Sequence, residues 1–361
     1  MTQQSSNPEL TVAELGERGL LDRIRARVPP TPPGILVGIG DDAAVVEPER
    51  GTLDVITADA LVEGVHFELA FARPGDLGFK ALAISLSDLA AMGATPRMAV
   101  LSLALPGPMR AADVETLLDA LLELAAHYKV SLVGGNLTRS PGPLIIDLTA
   151  IGSVRRRRVL SRAGARPGDE LHVSGTVGAA AAGLECLRIA GRSGTDGEQG
   201  RIPMVECRQR FLRPAPRVRL GTLIGRNRAA SACIDSSDGL ADAVRQLAAA
   251  SGVGAIIEAA AVPVDPEARR WFEQAGVDPL AAALGGGEDY ELVFTVPRNL
   301  RRRYAAVRHL TGSLPLTRIG VITADRALVL RGEGGDTPLG AGFDHFNQPN
   351  SAHAPHVPEG S

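Results

Sequence analysis

Apolar and polar positions along the first half of the chain follow helical and strand periods in turn. A helix is predicted over residues 7–27, where apolar side chains recur at helical spacing until a proline-rich stretch. After it the pattern predicts strands 43–46 and 53–57, helix 78–92, strand 98–105, helix 114–128, and strands 130–133 and 144–154.

The second half repeats this alternation after the four arginines 155–158, which are interpreted as a solvated connection near a domain boundary. The pattern predicts strand 169–174, helix 177–189, a strand ending at 234, helix 240–250, strands 254–258 and 291–296, a helix near 298–308, and strands near 316–322 and 327–331. Two mixed α/β domains are therefore expected, over residues 1–158 and 159–346. The polar stretch 191–200 is predicted to be a flexible surface loop, and residues 347–361 a disordered tail.

Composition narrows the class of protein. A length of 361 residues with 45% hydrophobic residues suits two packed domains. The formal net charge of −3 gives no overall field that favours nucleic acid or an anionic membrane. The three cysteines show no paired metal-ligand spacing, which is typical of a reducing compartment. Because the N-terminus has no secretory pattern and no apolar run reaches membrane length, we expect a cytoplasmic protein.

Aspartates stand among small and apolar residues in four short segments. These segments are Gly38–Asp42, Thr57–Asp59, Ser85–Asp88 and Asp235–Gly239. Carboxylates in such contexts are usually drawn together around a cation, and magnesium is the predicted one. The glycine-rich phosphate loop with its lysine is absent, because neither Lys80 nor Lys129 has the required glycine spacing. Phosphate chemistry in this chain would therefore depend on metals and carboxylates.

Each segment also has a structural interpretation. Asp41 and Asp42 could cap a turn, and Asp59, expected at a strand end, could be a polar cap there. The residues of Asp235–Gly239 could cap the following helix. Asp88 is harder to explain structurally, because an unpaired carboxylate within an apolar helical run is costly to bury.

Two further features attract attention. Gly285–Gly287 precede the acidic pair Glu288 and Asp289, and three glycines indicate close approach to a ligand or a neighbouring chain. His66 is a lone histidine, for which the residues themselves favour a structural role.

Read in order, the motifs GIGDDAAV, TADALVEGVHF, KALAISLSDLAAMGA, VGGNLTR, LSRAGARPGD, IDSSDGL, GGGEDYEL and GFDHF resemble the thiamine-monophosphate kinase family over about residues 34–346. The resemblance implies an aminoimidazole ribonucleotide synthetase-like fold of two domains. These are an N-terminal α/β domain with a mixed sheet, which dimerises, and a C-terminal α+β domain. It also implies ATP-dependent phosphorylation of thiamine monophosphate to thiamine diphosphate by direct in-line transfer, assisted by several magnesium ions.

The resemblance assigns roles position by position. The implied magnesium ligands are Asp42, Thr57, Asp59, Asp88, Asp235 and Asp238, of which Asp88 and Asp238 are the implied catalytic pair. Arg162 and Ser237 match ATP-contacting positions, and His66, Glu288 and Phe343 match residues lining the thiamine-phosphate site. The implied partners are ATP, thiamine monophosphate and a second copy of the chain, with no nucleic acid and no membrane.

Two positions depart from the family pattern. Asn136 stands where the family usually has an aspartate of the cofactor-binding set, and Ala58 where it has a second threonine. A neutral amide attracts a divalent ion less than a carboxylate does. Two alternatives therefore stay open: another ATP-using enzyme of the same superfamily, or a catalytically weakened nucleotide- or thiamine-phosphate-binding regulator.

Overall fold

The protein is described by a computed structural model over residues 10–30, 32–193 and 204–340. The first half contains α1 (Val12–Arg27), β1 (Ile35–Val37), β2 (Val45–Val46), β3 (Leu53–Val62), α2 (Pro74–Ala91), β4 (Thr95–Pro106), α3 (Ala111–Tyr128), β5 (Ser131–Ser140) and β6 (Ile145–Val154). Four of these strands form a sheet in the order β3-β6-β4-β5, in which only the β4–β5 pair is parallel.

The second half is built around a larger sheet. Its elements are β7 (Glu170–Ser174), α4 (Ala179–Ser193), α5 (Val205–Leu212), α6 (Val218–Asn227), β8 (Ala232–Asp235), α7 (Leu240–Ser251), β9 (Gly254–Glu258), α8 (Pro266–Gln274), α9 (Pro279–Gly285), β10 (Leu292–Val296), α10 (Arg301–Thr311), β11 (Leu316–Thr323), β12 (Leu328–Gly332) and β13 (Gly335–Pro338). The seven strands follow the order β13-β12-β9-β11-β7-β10-β8, with β12–β9 the parallel pair.

Helix α2 connects the two halves. It packs against β3, β6 and α3 of the first half, and against α6 and β8 of the second. Its apolar side chains Leu82, Leu86 and Leu89 are fully buried in a core that also contains Leu292 and Phe294 of β10. A helix buried on nearly all sides is expected to be apolar all round. The polar residues that α2 does bury, Lys80 among them, therefore need partners.

Most predicted elements are present, with ends that shift by a few residues. Strand β5 was predicted to end at 133 but continues to Ser140, because it pairs with β4 over this length. Strand β3 was predicted to end at Thr57 but continues to Val62, because all ten of its residues pair with β6. Helices α5, α6, α8 and α9 were not predicted. Most of the predicted loop 191–200 and all of the predicted tail lie outside the described residues. Among the described residues, no helix is long and apolar enough to cross a membrane.

Candidate active site

The first part of the site lies between β3 and α2. Side chains alternate between the two faces of a strand, so Thr57 and Asp59 share the inner face, which α2 covers. Ser85 Oγ of α2 donates a hydrogen bond to Asp59 Oδ2 at 2.7 Å. Thr57 Oγ1 donates one to Asp88 Oδ2. The prediction that Asp59 ends a strand is wrong, but Asp59 and Asp88 do come together as the motifs implied.

The second half supplies a third carboxylate. Asp235 is the last residue of β8, at the edge of the larger sheet, and its side chain is only 4% exposed. Ser87 Oγ of α2 donates a hydrogen bond to Asp235 Oδ2 at 2.7 Å. Helix α2 thus reaches one aspartate of each sheet through two serines, Ser85 and Ser87. We call Asp59, Asp88 and Asp235 the acidic cluster.

The serines were not predicted as site residues. They form no helical face with each other, being two positions apart, and the sequence shows them only as small polar residues in an apolar run. Both are fully buried. A buried hydroxyl needs a hydrogen-bond partner, and this requirement is the feature that could have predicted their contact with carboxylates.

The acidic cluster holds more negative charge than its surroundings balance. Burial, with the charge of Asp88 next in size, raises the pKa of Asp59 to about 6. Burial and the same neighbour raise the pKa of Asp235 to about 7. Burial also raises the pKa of Asp88, against the opposing effects of Thr57 and Arg162. Such shifts mark carboxylates whose ionised form is under-compensated, which is a property of functional sites as well as of strained ion pairs.

The predicted ATP-contacting residues lie at the margin of this cluster. Arg162 is exposed, and its positive charge acts on both Asp88 and Asp235. Ser237 and Asp238 form the turn between β8 and α7, and the charge of Asp238 reaches the buried Tyr290. Gly239 ends this turn with a φ of +97°, a conformation that glycine adopts readily.

The Gly285–Gly287 segment packs against this same turn. A Cβ atom at Gly287 would lie 2.5 Å from the carbonyl oxygen of Ser237. The backbone N–H of Glu288 donates to that oxygen at 2.6 Å. The glycine segment does approach another segment closely, and that neighbour is the backbone of the same chain, whereas approach to a ligand stays a prediction. The contact places Glu288 beside the turn that carries Asp238.

Glu288 itself occupies a strained backbone position. Its φ is +68° and that of Tyr290 is +51°, both in the left-handed region that non-glycine residues rarely adopt. The residue between them, Asp289, accepts hydrogen bonds from the backbone N–H groups of Gly178 and Ala180 at the start of α4. The glycine-rich segment is thus held on both sides of Glu288.

His66 lies in the turn that follows β3 and is half-buried. The backbone N–H of Val62 donates to His66 Nδ1 at 3.1 Å, which places the ring hydrogen of the neutral imidazole on Nε2. This bond fixes the ring orientation, so the structural interpretation of His66 is at least part of its role.

Among the described residues, Asp42 and Asn136 form no hydrogen bond or ion pair with the acidic cluster. Asp42 lies in an exposed loop, where its backbone N–H donates a hydrogen bond to Asp41 Oδ1 at 2.9 Å. Asn136 is exposed on β5, and the strand register aligns it with Ser102 and Asp147, on the face of the sheet opposite Asp59. Phe343 lies outside the described residues.

The donors of the site suit magnesium in kind. They are carboxylate and hydroxyl oxygens, the hard ligands that Mg²⁺ prefers, and their excess negative charge would be relieved by a cation. Within residues 10–30, 32–193 and 204–340, however, no three acidic, histidine or cysteine side chains converge tightly enough to hold an ion alone. This fits an ion that keeps water ligands or shares the oxygens of a bound phosphate.

Comparison with known proteins agrees with this architecture. Residues 40–154 match the family model of the AIR synthase related protein N-terminal domain, and residues 166–333 match that of the corresponding C-terminal domain. A hydrogenase maturation protein HypE shares the fold with a TM-score of 0.72 at 22% identity. The chain therefore has the two-domain AIR synthase fold, and the predicted fold class is confirmed.

Relatives of known name narrow the family further. The chain is 41% identical to the thiamine-monophosphate kinase of Escherichia coli K12, over 92% of this chain and 99% of that protein. It is 34% identical to the enzyme of Bacillus subtilis over 79% and 85%. The crystal structure of thiamine-monophosphate kinase from Stenotrophomonas maltophilia superposes with a TM-score of 0.74 at 39% identity, covering 87% of this chain and 96% of that one.

A further neighbour is described as AaThiL complexed with AMPPCP and TMP, with a TM-score of 0.69 and 33% identity over 90% and 96% of the two chains. The chain belongs to the thiamine-monophosphate kinase family, as its motifs predicted.

Proposed function

We propose that the protein transfers the γ-phosphoryl group of ATP to thiamine monophosphate and so makes thiamine diphosphate. One observation carries the proposal beyond family membership. The acidic cluster draws carboxylates from both halves of the chain and leaves their charge under-compensated, as a site for a metal-bound triphosphate requires. AMPPCP, bound by one relative, is an ATP analogue, and TMP there fits the proposed acceptor.

The proposed magnesium ligands come from three places. They are Thr57 and Asp59 of β3, Asp88 of α2, and Asp235 and Asp238 around the end of β8, with Asp42 joining from its exposed loop. Several bound Mg²⁺ ions would supply neutralisation of the phosphate charge. Asp88 and Asp238 are the proposed catalytic carboxylates: Asp88 belongs to the acidic cluster, and Asp238 lies in the turn that follows Asp235.

The proposed phosphoryl transfer makes little demand on general acid–base catalysis by the protein. A phosphate oxygen of thiamine monophosphate forms a bond to the γ-phosphorus while the bond from that phosphorus to the β,γ-bridging oxygen breaks, and ADP leaves with the electron pair. The attacking oxygen is already anionic near neutral pH, so no strong general base is required. The chain contributes position and a fixed electrostatic environment.

The remaining site residues are proposed to hold the two substrates. Arg162 and Ser237 would contact ATP, because both border the acidic cluster and an arginine fork suits phosphate. His66, Glu288 and Phe343 would line the thiamine-phosphate site. Asn136, which lies on the face of the first sheet opposite Asp59, is also proposed to be a cofactor-binding residue.

That other face also supports the proposed homodimer. Ile56 is 68% exposed there, and the register aligns it with Ile151 of β6 on the same face. Ala58, Ala60 and Asn136 share this face and are exposed as well. An exposed apolar sheet face is a common contact surface between subunits. The first half, residues 1–158, would then carry dimerisation and nucleotide binding, and residues 159–346 would complete the site.

A single assay separates the proposal from its two rivals. Purified protein is incubated with Mg²⁺, ATP and thiamine monophosphate, and thiamine diphosphate and ADP are quantified together. Equal amounts of both products support the kinase. Binding of both substrates without product indicates a regulator, and absence of thiamine monophosphate binding indicates a different substrate.

A further inference from the structure

Lys80 is a charged residue that the proposed reaction has not yet used. It lies on α2, and only 2% of its surface is exposed. Its Nζ lies 2.9 Å from Glu288 Oε2 and 3.6 Å from the centroid of the Phe211 ring. A lysine buried this completely is rare unless it is paired. The ion pair with Glu288 therefore compensates the cost of burying the Lys80 ammonium.

The ion pair is asymmetric. The Lys80 side chain is buried, whereas the Glu288 side chain keeps 23% of its surface exposed. Among the described residues, Glu288 Oε2 is the oxygen bound by lysine, and no hydrogen bond is made to Oε1. The buried ammonium therefore fixes one oxygen of the carboxylate and leaves the other open to a ligand.

Backbone strain also concentrates at this carboxylate. Glu288 has a φ of +68°, a conformation that costs a non-glycine residue energy and persists only when surrounding contacts impose it. Its backbone N–H is held by the Ser237 carbonyl, and its side chain by Lys80. Strain of this kind is common where a side chain must be presented in one orientation.

We propose that Lys80 is a positioning residue that holds the Glu288 carboxylate in one orientation for thiamine monophosphate. The inference rests on the proposed function. Thiamine carries a cationic thiazolium ring and an exocyclic amine on its pyrimidine, and a fixed carboxylate oxygen suits either group. Because Lys80 is buried, it does not touch the substrate and acts only through Glu288.

Helix α2 contacts both Glu288 and the acidic cluster. Lys80 and Ser87 are seven residues apart, about two helical turns, so they lie on one side of α2. One contacts Glu288 and the other Asp235, and both partners belong to the second half of the chain. Helix α2 thereby fixes the distance between the thiamine-binding carboxylate and the acidic cluster.

The test uses Lys80→Met, which keeps the side-chain volume and removes the charge. Thiamine monophosphate affinity is measured by calorimetry, and the KM for each substrate and kcat by steady-state assay. We expect the Kd and KM for thiamine monophosphate to rise about tenfold or more, with the KM for ATP changed less than about threefold. Equal changes in both KM values, or none, would overturn the proposal.

The matched control is Arg213→Met. Arg213 Nε pairs with Asp76 Oδ1 of the same helix at 2.7 Å, away from Glu288, so its loss removes a comparable contact between α2 and the second half. We expect a lower melting temperature and unchanged affinity for thiamine monophosphate. A loss of affinity equal to that of Lys80→Met would mean that any loosening of α2 has this effect, which contradicts a specific role.

A double variant distinguishes positioning from folding. Lys80→Met combined with Glu288→Gln removes both charges, so neither is left buried alone and the melting temperature should recover above that of Glu288→Gln. Affinity for thiamine monophosphate should equal that of Glu288→Gln, since Lys80 acts through Glu288. Additive losses would refute the proposal. If the wild-type protein binds thiamine monophosphate but makes no thiamine diphosphate, the proposed function fails while this affinity test still decides the role of Lys80.

Discussion

Two buried carboxylate environments in this protein differ in how far the chain compensates their negative charge. Glu291, immediately before β10, is fully buried and forms ion pairs with Arg210 at 2.9 Å and with Arg217, whose Nε donates at 2.6 Å. Asp235 of the acidic cluster is nearly as buried, yet the chain offers it the Ser87 hydroxyl and the influence of an exposed arginine, Arg162.

The difference distinguishes a carboxylate that is paired within the fold from one that lacks a buried counter-ion. Around Glu291 the negative charge is balanced within the chain by the guanidinium groups of Arg210 and Arg217. Around Asp235 it is not balanced, and burial together with Asp88 raises the carboxyl pKa to about 7. A carboxylate that the fold buries without a counter-ion is expected to receive one from outside.

The largest expected effect is on stability at the balanced network. Glu291→Gln should lower the free energy of unfolding by about 3–5 kcal/mol, because it leaves two partly buried arginines without their counter-charge. Denaturant unfolding followed by circular dichroism measures this. A loss below about 1 kcal/mol would mean that the network is not the balanced structural pair described.

The next effect is on turnover at the unbalanced cluster. Asp88→Asn should reduce kcat by about 100-fold or more, because a charge that stabilises the transferring phosphate through its cation is lost. The melting temperature without magnesium should stay equal or rise, since repulsion within the cluster is relieved. The matched control is Asp76→Asn on the same helix, remote from the cluster, for which near-normal kcat is expected.

The stability of the metal-free protein should depend on pH with the opposite sign to that caused by an ion-paired carboxylate, whose pKa is lowered. Folding raises the pKa of Asp59 to about 6 and that of Asp235 to about 7, above the usual value of 3.8. The folded state therefore binds more protons between about pH 4 and 7, so the stability of the metal-free protein should fall as pH rises through this range. Magnesium affinity should rise over the same range, because protons and cations compete for these oxygens.

Thermal unfolding of the metal-free protein from pH 5 to 8 measures the fall in stability. Calorimetric titration with Mg²⁺ over the same range measures the rise in magnesium affinity. Asp235→Asn removes one of the two titrating groups and should flatten both curves. Curves with the same slope as the wild type would show that Asp235 does not contribute.

The smallest expected effect is at a serine that links the halves. Ser87→Ala removes the hydroxyl that donates to Asp235, and should cost about 1 kcal/mol of unfolding free energy. Ser174, which donates to Glu291 beside two arginines, is the comparison site, and Ser174→Ala should change the magnesium dependence of turnover less than Ser87→Ala does. Chemical denaturation and magnesium titration of kcat provide the two measurements.

The comparison also shows what the sequence could predict. Asp88 and Asp235 were found as acids in apolar or strand-like surroundings, a local property of the chain. Helices α8 and α9 were missed although Asp265-Pro266 and Asp278-Pro279 mark their starts, because an Asp cap followed by proline typically begins a helix.

Other features depend on contacts between distant residues. Lys80 and Glu288 are 208 positions apart, and nothing local distinguishes a buried lysine from an exposed one on α2. The face occupied by Asn136 follows from the register of β4 with β5, and a shift of one residue would reverse it. The balance of charge, which separates Glu291 from Asp235, can be judged only once the chain is folded.

The central claim is that the acidic cluster is completed by a cation bound with nucleotide. The most direct measurement is the melting temperature with AMPPCP, in the presence of Mg²⁺ and in excess chelator, for the wild type, Asp88→Asn and Asp76→Asn. We expect AMPPCP to stabilise the wild type and Asp76→Asn only when Mg²⁺ is present, and to stabilise Asp88→Asn far less. Equal stabilisation with and without Mg²⁺, or in all three proteins, would contradict the account.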